Sequence, residues 1–80
     1  MHEAKLCLAL LRIAETHRVQ AGAERITALR LRVGALSGVA PEALARAFPI
    51  CAAGTPADGA ALRIEEAPGR ALLLADMEVI

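Results

Sequence analysis

Apolar positions recur along this chain with two periods. Up to Gln20, Leu6, Leu10, Ile13, Ala14 and His17 fall at helical spacing, with Cys7 and Leu11 beside them. Arg12, Glu15 and Arg18 take the opposite side, so the segment from about Ala4 to Gln20 reads as an amphipathic helix stopped by Gly22. The period then falls to two. In RITALRLRVG, Leu29, Leu31 and Val33 point one way while Ala28, Arg30 and Arg32 point the other. That pattern predicts a half-buried strand from about Glu24 to Val33. GALSGVAPEAL is a loop leading into a second helix, with Pro41 and Glu42 suited to its first turn. Leu44, Ala47, Phe48 and Cys51 form its apolar stripe, and it ends near Cys51 or Ala52. Pro49 lacks an N–H and carries a bulky ring, so it is expected to kink or shorten the last turn.

Beyond the turn-rich AAGTPADGA, ALRIEE alternates as a short strand with Leu62 and Ile64 inward. Pro68 and Gly69 suit the centre of a tight turn, which predicts a hairpin to the final strand, ALLLADMEVI. In that strand apolar residues fall on both faces through Leu74. The order is helix, strand, helix, strand, strand. It predicts an α+β domain over residues 1–80, with two helices packed on one face of a small three-stranded sheet, mixed or antiparallel.

Composition narrows the functional classes. Eighty residues give a small core, compensated by 56% apolar content in which Phe48 is the only aromatic residue. The formal net charge is zero, which argues against nucleic-acid binding, as does the lack of aromatic stacking platforms. No apolar run approaches the ~20 residues of a membrane span, and Leu6–Leu11 is stopped by Arg12. Glu3 sits where a signal peptide carries basic residues, so the expected location is the cytoplasm, with no membrane partner. Cys7 and Cys51 lack CxxC pairing and read as buried free thiols in a reducing compartment. The Arg30–Arg32 face reads as a solvated sheet face, or as an anion or partner patch.

Catalytic signals are missing. There is no Walker loop, GxGxxG, GxSxG or HExxH. Glu65 and Glu66 are adjacent on a strand and point to opposite faces. Ser37 has no histidine nearby in sequence. His17 reads as a structural residue on the apolar edge of its helix, and Cys7 lies ~15 Å from it along the axis. The chain is therefore not expected to be an enzyme. One terminal feature remains. Met1 and His2 offer an α-amine, a backbone amide nitrogen once deprotonated, and an imidazole nitrogen, forming fused chelate rings in one plane. Glu3 can add a fourth ligand through its backbone nitrogen or carboxylate. A planar, nitrogen-rich set favours Ni(II) or Cu(II) over zinc, which prefers a tetrahedron. A large second residue also opposes removal of Met1. The alternative is that Met1, His2 and Glu3 are a frayed leader to the helix.

Three separated blocks carry a family resemblance: MHE running into LCLALL, then RVGALSGVAPEAL, then GTPADGAALRIEEAPGRA. In order and spacing they resemble the HypA/HybF family of hydrogenase-maturation nickel metallochaperones, from Met1 through about Ala71. The resemblance implies an α+β nickel-binding domain that carries a zinc ribbon, with its nickel site at Met1, His2 and Glu3. It implies a role in delivering Ni(II) to the [NiFe] hydrogenase large subunit together with a GTPase maturation partner, and to urease in some organisms. The alternative function is a metal-free protein-interaction module or an isolated scaffold fragment of that family.

Two departures from the family pattern matter. The four ribbon cysteines expected after PGR are not present, and ALLLADMEVI resembles the strand that follows the ribbon. This implies a ribbon excised between about Arg70 and Leu73, and no structural zinc is expected. Ala40 stands where many relatives carry an acidic residue, so that loop supplies no auxiliary carboxylate. With the ribbon gone, the apolar final strand is expected to leave an open edge that forms a homodimer through the C-terminal strand.

Overall fold

A computed structural model of the chain describes residues 2–80, with His2 described by its backbone alone. The elements are α1 (His2–Gln20), β1 (Ile26–Gly34), α2 (Pro41–Ala52), β2 (Ala61–Ala67) and β3 (Leu72–Val79). Their order and the α+β class agree with the reading of the sequence. The first helix begins at His2 rather than Ala4, with Glu3 in its first turn, where a carboxylate complements the positive end of the helix dipole. The first strand begins at Ile26 rather than Glu24. The amides of Glu24 and Arg25 instead donate to the Ile80 carbonyl, at 2.8 and 3.3 Å, just outside the regular ladder. Pro49 lies inside α2, which continues to Ala52.

The sheet is mixed, in the order β2-β1-β3, with β1 parallel to β2 and antiparallel to β3. The expected hairpin is therefore wrong. Pro68 and Gly69 do turn the chain, but the turn carries it across the end of β1 and onto its far side. The crossing is tied down by three backbone bonds: Gly34 N–H to the Ala71 carbonyl, Ala35 N–H to Ala67 and Leu36 N–H to Gly69, each 2.8 Å. The physical reason lies in β1. Its core-facing Leu29, Leu31 and Val33 are almost completely buried, and only the central place, flanked on both edges and covered by the helices, buries a strand that far. The α2 connection brings β2 back parallel on one edge, leaving the other for β3.

Both helices cover one face of this sheet. Cys7, Leu10 and Ala14 of α1 meet Leu44, Phe48 and Ala52 of α2 over Leu29, Leu31 and Val33. Ile13 and His17, expected on the apolar stripe, are exposed, because the packed stripe runs through Cys7, Leu10 and Ala14 instead. The register shifts once between Ile26 and Ala28 and again between Arg30 and Leu31. The second shift leaves Ala75 as the extra residue, so Leu72, Leu74 and Met77 all pack on the core although their spacing is uneven. This explains the apolar residues that fall on both faces of the final strand.

The open face of the sheet is charged on all three strands. Arg30 binds Glu65 at 3.0 Å and also pairs with Asp76, Arg32 binds Glu65 at 3.3 Å, and Arg63 binds Glu78 at 3.2 Å. The arginines thus meet acids from the flanking strands, which removes the reading of this face as an anion patch. The hydrogen bonds from Arg32 and Arg30 hold the Glu65 carboxyl below its usual range. Among the described residues, no helix is long and apolar enough to cross a membrane.

Candidate metal centre

The first turn of α1 opens onto a cleft of about 370 Å³ lined by Glu3, Leu6, Ser37, Val39, Arg70 and Leu72, with Gly38 beside them. Three segments distant in sequence build it: the start of α1, the loop from β1 to α2, and the crossing from β2 to β3. The loop is shaped locally. Ser37 N–H donates to the Gly34 carbonyl at 3.0 Å, and Val39 N–H donates to Ser37 Oγ at 3.2 Å. Gly38 takes a φ of 80°, which a residue with a Cβ rarely adopts. Ala40 then caps α2 in an extended conformation with no side-chain hydrogen bond.

Of the three candidate ligands, Glu3 is half-buried and lines this cleft. Met1 and the side chain of His2 lie outside the described residues. The backbone of His2 opens α1. That position has chemical meaning, because the first four N–H groups of a helix have no intrahelical acceptor. Deprotonating an amide there breaks no helical hydrogen bond, and the positive end of the dipole favours the resulting anion. Among the described residues, no group of three or more His, Cys, Asp or Glu side chains is arranged to hold a metal ion.

The other candidate residues are dispersed. His17 lines a separate cleft with Leu74, Asp76 and Met77, away from Ser37. Cys7 is buried at the contact between α1 and α2, where its Sγ donates to the Leu44 carbonyl at 3.7 Å. Burial, then the neighbouring Cys51 and then Glu3, push its pKa up to about 11. Cys51 is half-buried, and its Sγ donates to the Ala4 carbonyl at 3.9 Å. The expectation of a buried free thiol holds for Cys7 and in part for Cys51. Their placement at the same contact between α1 and α2 had no signal in the sequence, since it arises only from the packing of two helices.

Comparison with known proteins follows the same lines. The family model for hydrogenase/urease nickel incorporation, metallochaperone, hypA, matches residues 1–72. The hydrogenase maturation factor HypA of Deinococcus radiodurans is 55% identical over 69 residues, covering 86% of this chain and 58% of that protein. The HypA of Chloroflexus aurantiacus is 47% identical over 68 residues, covering 85% of this chain and 60% of that one. The chain thus spans less than two-thirds of the length of these relatives. The solution structure of the Ni metallochaperone HypA from Helicobacter pylori superposes with a TM-score of 0.75 at 16% identity, covering 92% of this chain and 70% of that chain. At that identity the likeness concerns the fold.

Proposed function

This chain belongs to the HypA family, and from that premise we propose that it is a nickel-binding domain that takes up Ni(II) and passes it on during hydrogenase maturation. The ligands are the Met1 α-amine, the His2 amide and imidazole nitrogens, and Glu3. The single observation that carries this reading is that the family match begins at Met1 and includes the Met1-His2-Glu3 triplet, which leads into α1 beside an open cleft. Nickel is cargo here, and the protein acts as a carrier in the cytoplasm rather than as an enzyme. The partners are the hydrogenase large subunit and a GTPase maturation protein, as family resemblance implies. Residues 1–80 form one nickel domain without a ribbon near residues 70–73, and no structural zinc is held. The short crossing from Ala67 to Leu72 supports this reading, because it joins β2 to β3 directly.

The test is a nickel titration of the chain with a free amino group on Met1, followed by visible spectroscopy. His2→Ala is expected to abolish tight binding with little change in thermal stability, because a terminal residue contributes little packing. One residue added before Met1 converts the amine to an amide and is expected to impair binding as well. Nickel binding by His2→Ala equal to that of the parent would overturn the ligand set. If neither parent nor variant binds nickel, a metal-free interaction module becomes the better reading.

A further inference from the structure

Arg70 lines the same cleft of about 370 Å³ as Glu3, together with the apolar Leu6, Val39 and Leu72. The backbone fixes it there from both sides. The Gly69 carbonyl accepts from Leu36 N–H and the Ala71 carbonyl accepts from Gly34 N–H, each at 2.8 Å. Arg70 is exposed, and among the described residues its guanidinium makes no hydrogen bond or ion pair. The arginines of the open sheet face differ, since Arg30, Arg32 and Arg63 each meet a carboxylate. Ser37 adds a second donor to the cleft. Its Oγ accepts from Val39 N–H, which leaves the hydroxyl proton available. A fixed positive charge does not help its neighbours hold a metal cation, because like charges repel. It does attract an anion, and a guanidinium presents parallel N–H groups that match the two oxygens of a carboxylate.

We infer that Arg70, helped by Ser37, receives a carboxylate of the acceptor that takes nickel from this chain and sets it beside the metal's ligands for exchange. The inference rests on the nickel reading above and adds the chemistry of the recipient, a group that carries carboxylate donors. Arg70 is a positioning residue and binds no nickel itself. The acceptor's carboxylate first exchanges water for the guanidinium. A carboxylate has more lone pairs than the guanidinium occupies, so one of its oxygens can still donate an electron pair to nickel as the Glu3 ligand departs. The His2 and Met1 nitrogens follow, and each takes up from water the proton it gave up on loading. Nickel stays Ni(II) throughout, so no electron changes hands and no oxidant or reductant is needed.

The test uses the chain with a free amino group on Met1, loaded with nickel and mixed rapidly with either nitrilotriacetate, a carboxylate acceptor, or phenanthroline, a neutral one. The visible spectrum follows the departure of nickel. Arg70→Gln is expected to bind nickel at least as tightly as the parent, since a repelling charge is gone, and to slow transfer to nitrilotriacetate about tenfold. Its transfer to phenanthroline is expected to match the parent's. Arg70→Lys keeps the charge but loses the fork, and is expected to recover only part of the rate. Added salt is expected to slow the parent's transfer to nitrilotriacetate and not to phenanthroline. Arg70→Gln that yields nickel to nitrilotriacetate as fast as the parent, or that slows both acceptors equally, would overturn the inference and leave the nickel reading standing. A parent that binds no nickel would overturn both. The salt dependence is read on the parent alone, so a parent whose transfer to nitrilotriacetate is indifferent to salt overturns the inference whether or not the variants fold.

Discussion

Gly34 lies directly beneath Gly69. A Cβ on Gly34 would stand 2.4 Å from the Gly69 carbonyl oxygen, 2.8 Å from its carbonyl carbon and 2.9 Å from the Ala71 oxygen. All three are backbone atoms, and both oxygens already accept hydrogen bonds from the end of β1 and the loop after it. The chain can cross from β2 to β3 this closely only because β1 ends in a residue without a side chain. The crossing in turn carries Arg70 to the cleft that Glu3 lines.

Gly34→Ala is accordingly expected to destabilise the domain by about 2–3 kcal/mol, the range for forcing atoms into a packed site. Gly69→Ala meets open space but must hold a φ of 92°, so its cost is strain alone. That cost is about 1–2 kcal/mol. Urea denaturation reads both as lower midpoints at unchanged slope. A Gly34→Ala midpoint equal to that of the parent would mean the crossing sits higher over β1 than described.

Gly34 also marks where the sequence was readable and where it was not. The alternation of Leu29, Leu31 and Val33 located the central strand, because a strand with one buried face writes its period directly into the chain. The turn at Pro68–Gly69 was legible too, but turn chemistry does not say what the turn passes over. A hairpin and a crossing over an intervening strand use the same two residues. The glycine at the end of β1 was the only local trace of the second possibility. The site divides in the same way. The terminal triplet is contiguous and visible, whereas Ser37 and Arg70 join Glu3 only through the fold. The exposure of Ile13 and His17 was hidden because helical spacing defines a stripe but not its exact centre.

Ala40 gives a second prediction. It occupies the N-cap of α2 with no oxygen to accept from the first-turn amides. Both Ala40→Asp and Ala40→Asn are expected to stabilise the domain by about 1 kcal/mol through the missing cap. A thermal melt would show this as a rise of about 4–8 °C for a domain of this size. Only the aspartate also adds a carboxylate to the loop beside Glu3. Nickel affinity raised by Asp and not by Asn would assign that gain to charge at the site rather than to helix stability. Equal nickel affinities would remove the loop from the site.

Alkaline pH supplies a third. The Cys7 thiol has an ordinary pKa of 9.0 and is pushed up to about 11 in the fold. Below pH 9 the thiol is protonated both folded and unfolded, and stability is independent of it. Between the two values only the unfolded chain ionises, so stability falls as pH rises, by about 2–3 kcal/mol in all. Urea midpoints of the reduced chain should decline over that window. Cys7→Ala should flatten the decline, although its midpoint at neutral pH is lower. A parent profile that is flat up to pH 11 would show that Cys7 is not held in the dry contact between the helices.

The edge of β3 gives a fourth. Among the described residues the strand pairs only with β1, and Leu73 stands 54% exposed on it. An open, apolar edge pairs readily with another chain. Sedimentation is expected to show a dimer that grows with concentration and is reversed by Leu73→Lys, which places a charge on the edge strand. A strict monomer at high concentration would count against the edge as a self-association surface.

The last prediction concerns nickel and protons together. An amine, an amide nitrogen and an imidazole must all give up protons to bind the metal. The α-amine ordinarily titrates near pH ~8 and imidazole near pH ~6.5. Competition between protons and nickel therefore spans this range. Affinity is therefore expected to fall steeply from about pH 8 to pH 6. The loss is expected to be reversible and to leave the fold intact, because the proposed ligands are the first three residues of the chain while the core is anchored on Leu29, Leu31 and Leu44. Such lability suits a carrier, since a partner can remove nickel by exchanging ligands one at a time without disturbing the packed domain. The complex should be planar, diamagnetic and yellow, as strong-field nitrogen ligands favour for Ni(II). A paramagnetic, octahedral complex would mean that water and carboxylate oxygens dominate and the His2 amide keeps its proton. Isothermal titration at several pH values, with a visible spectrum at each, decides the matter. Nickel affinity that is unchanged between pH 6 and 8 would overturn both the ligand set and the release mechanism.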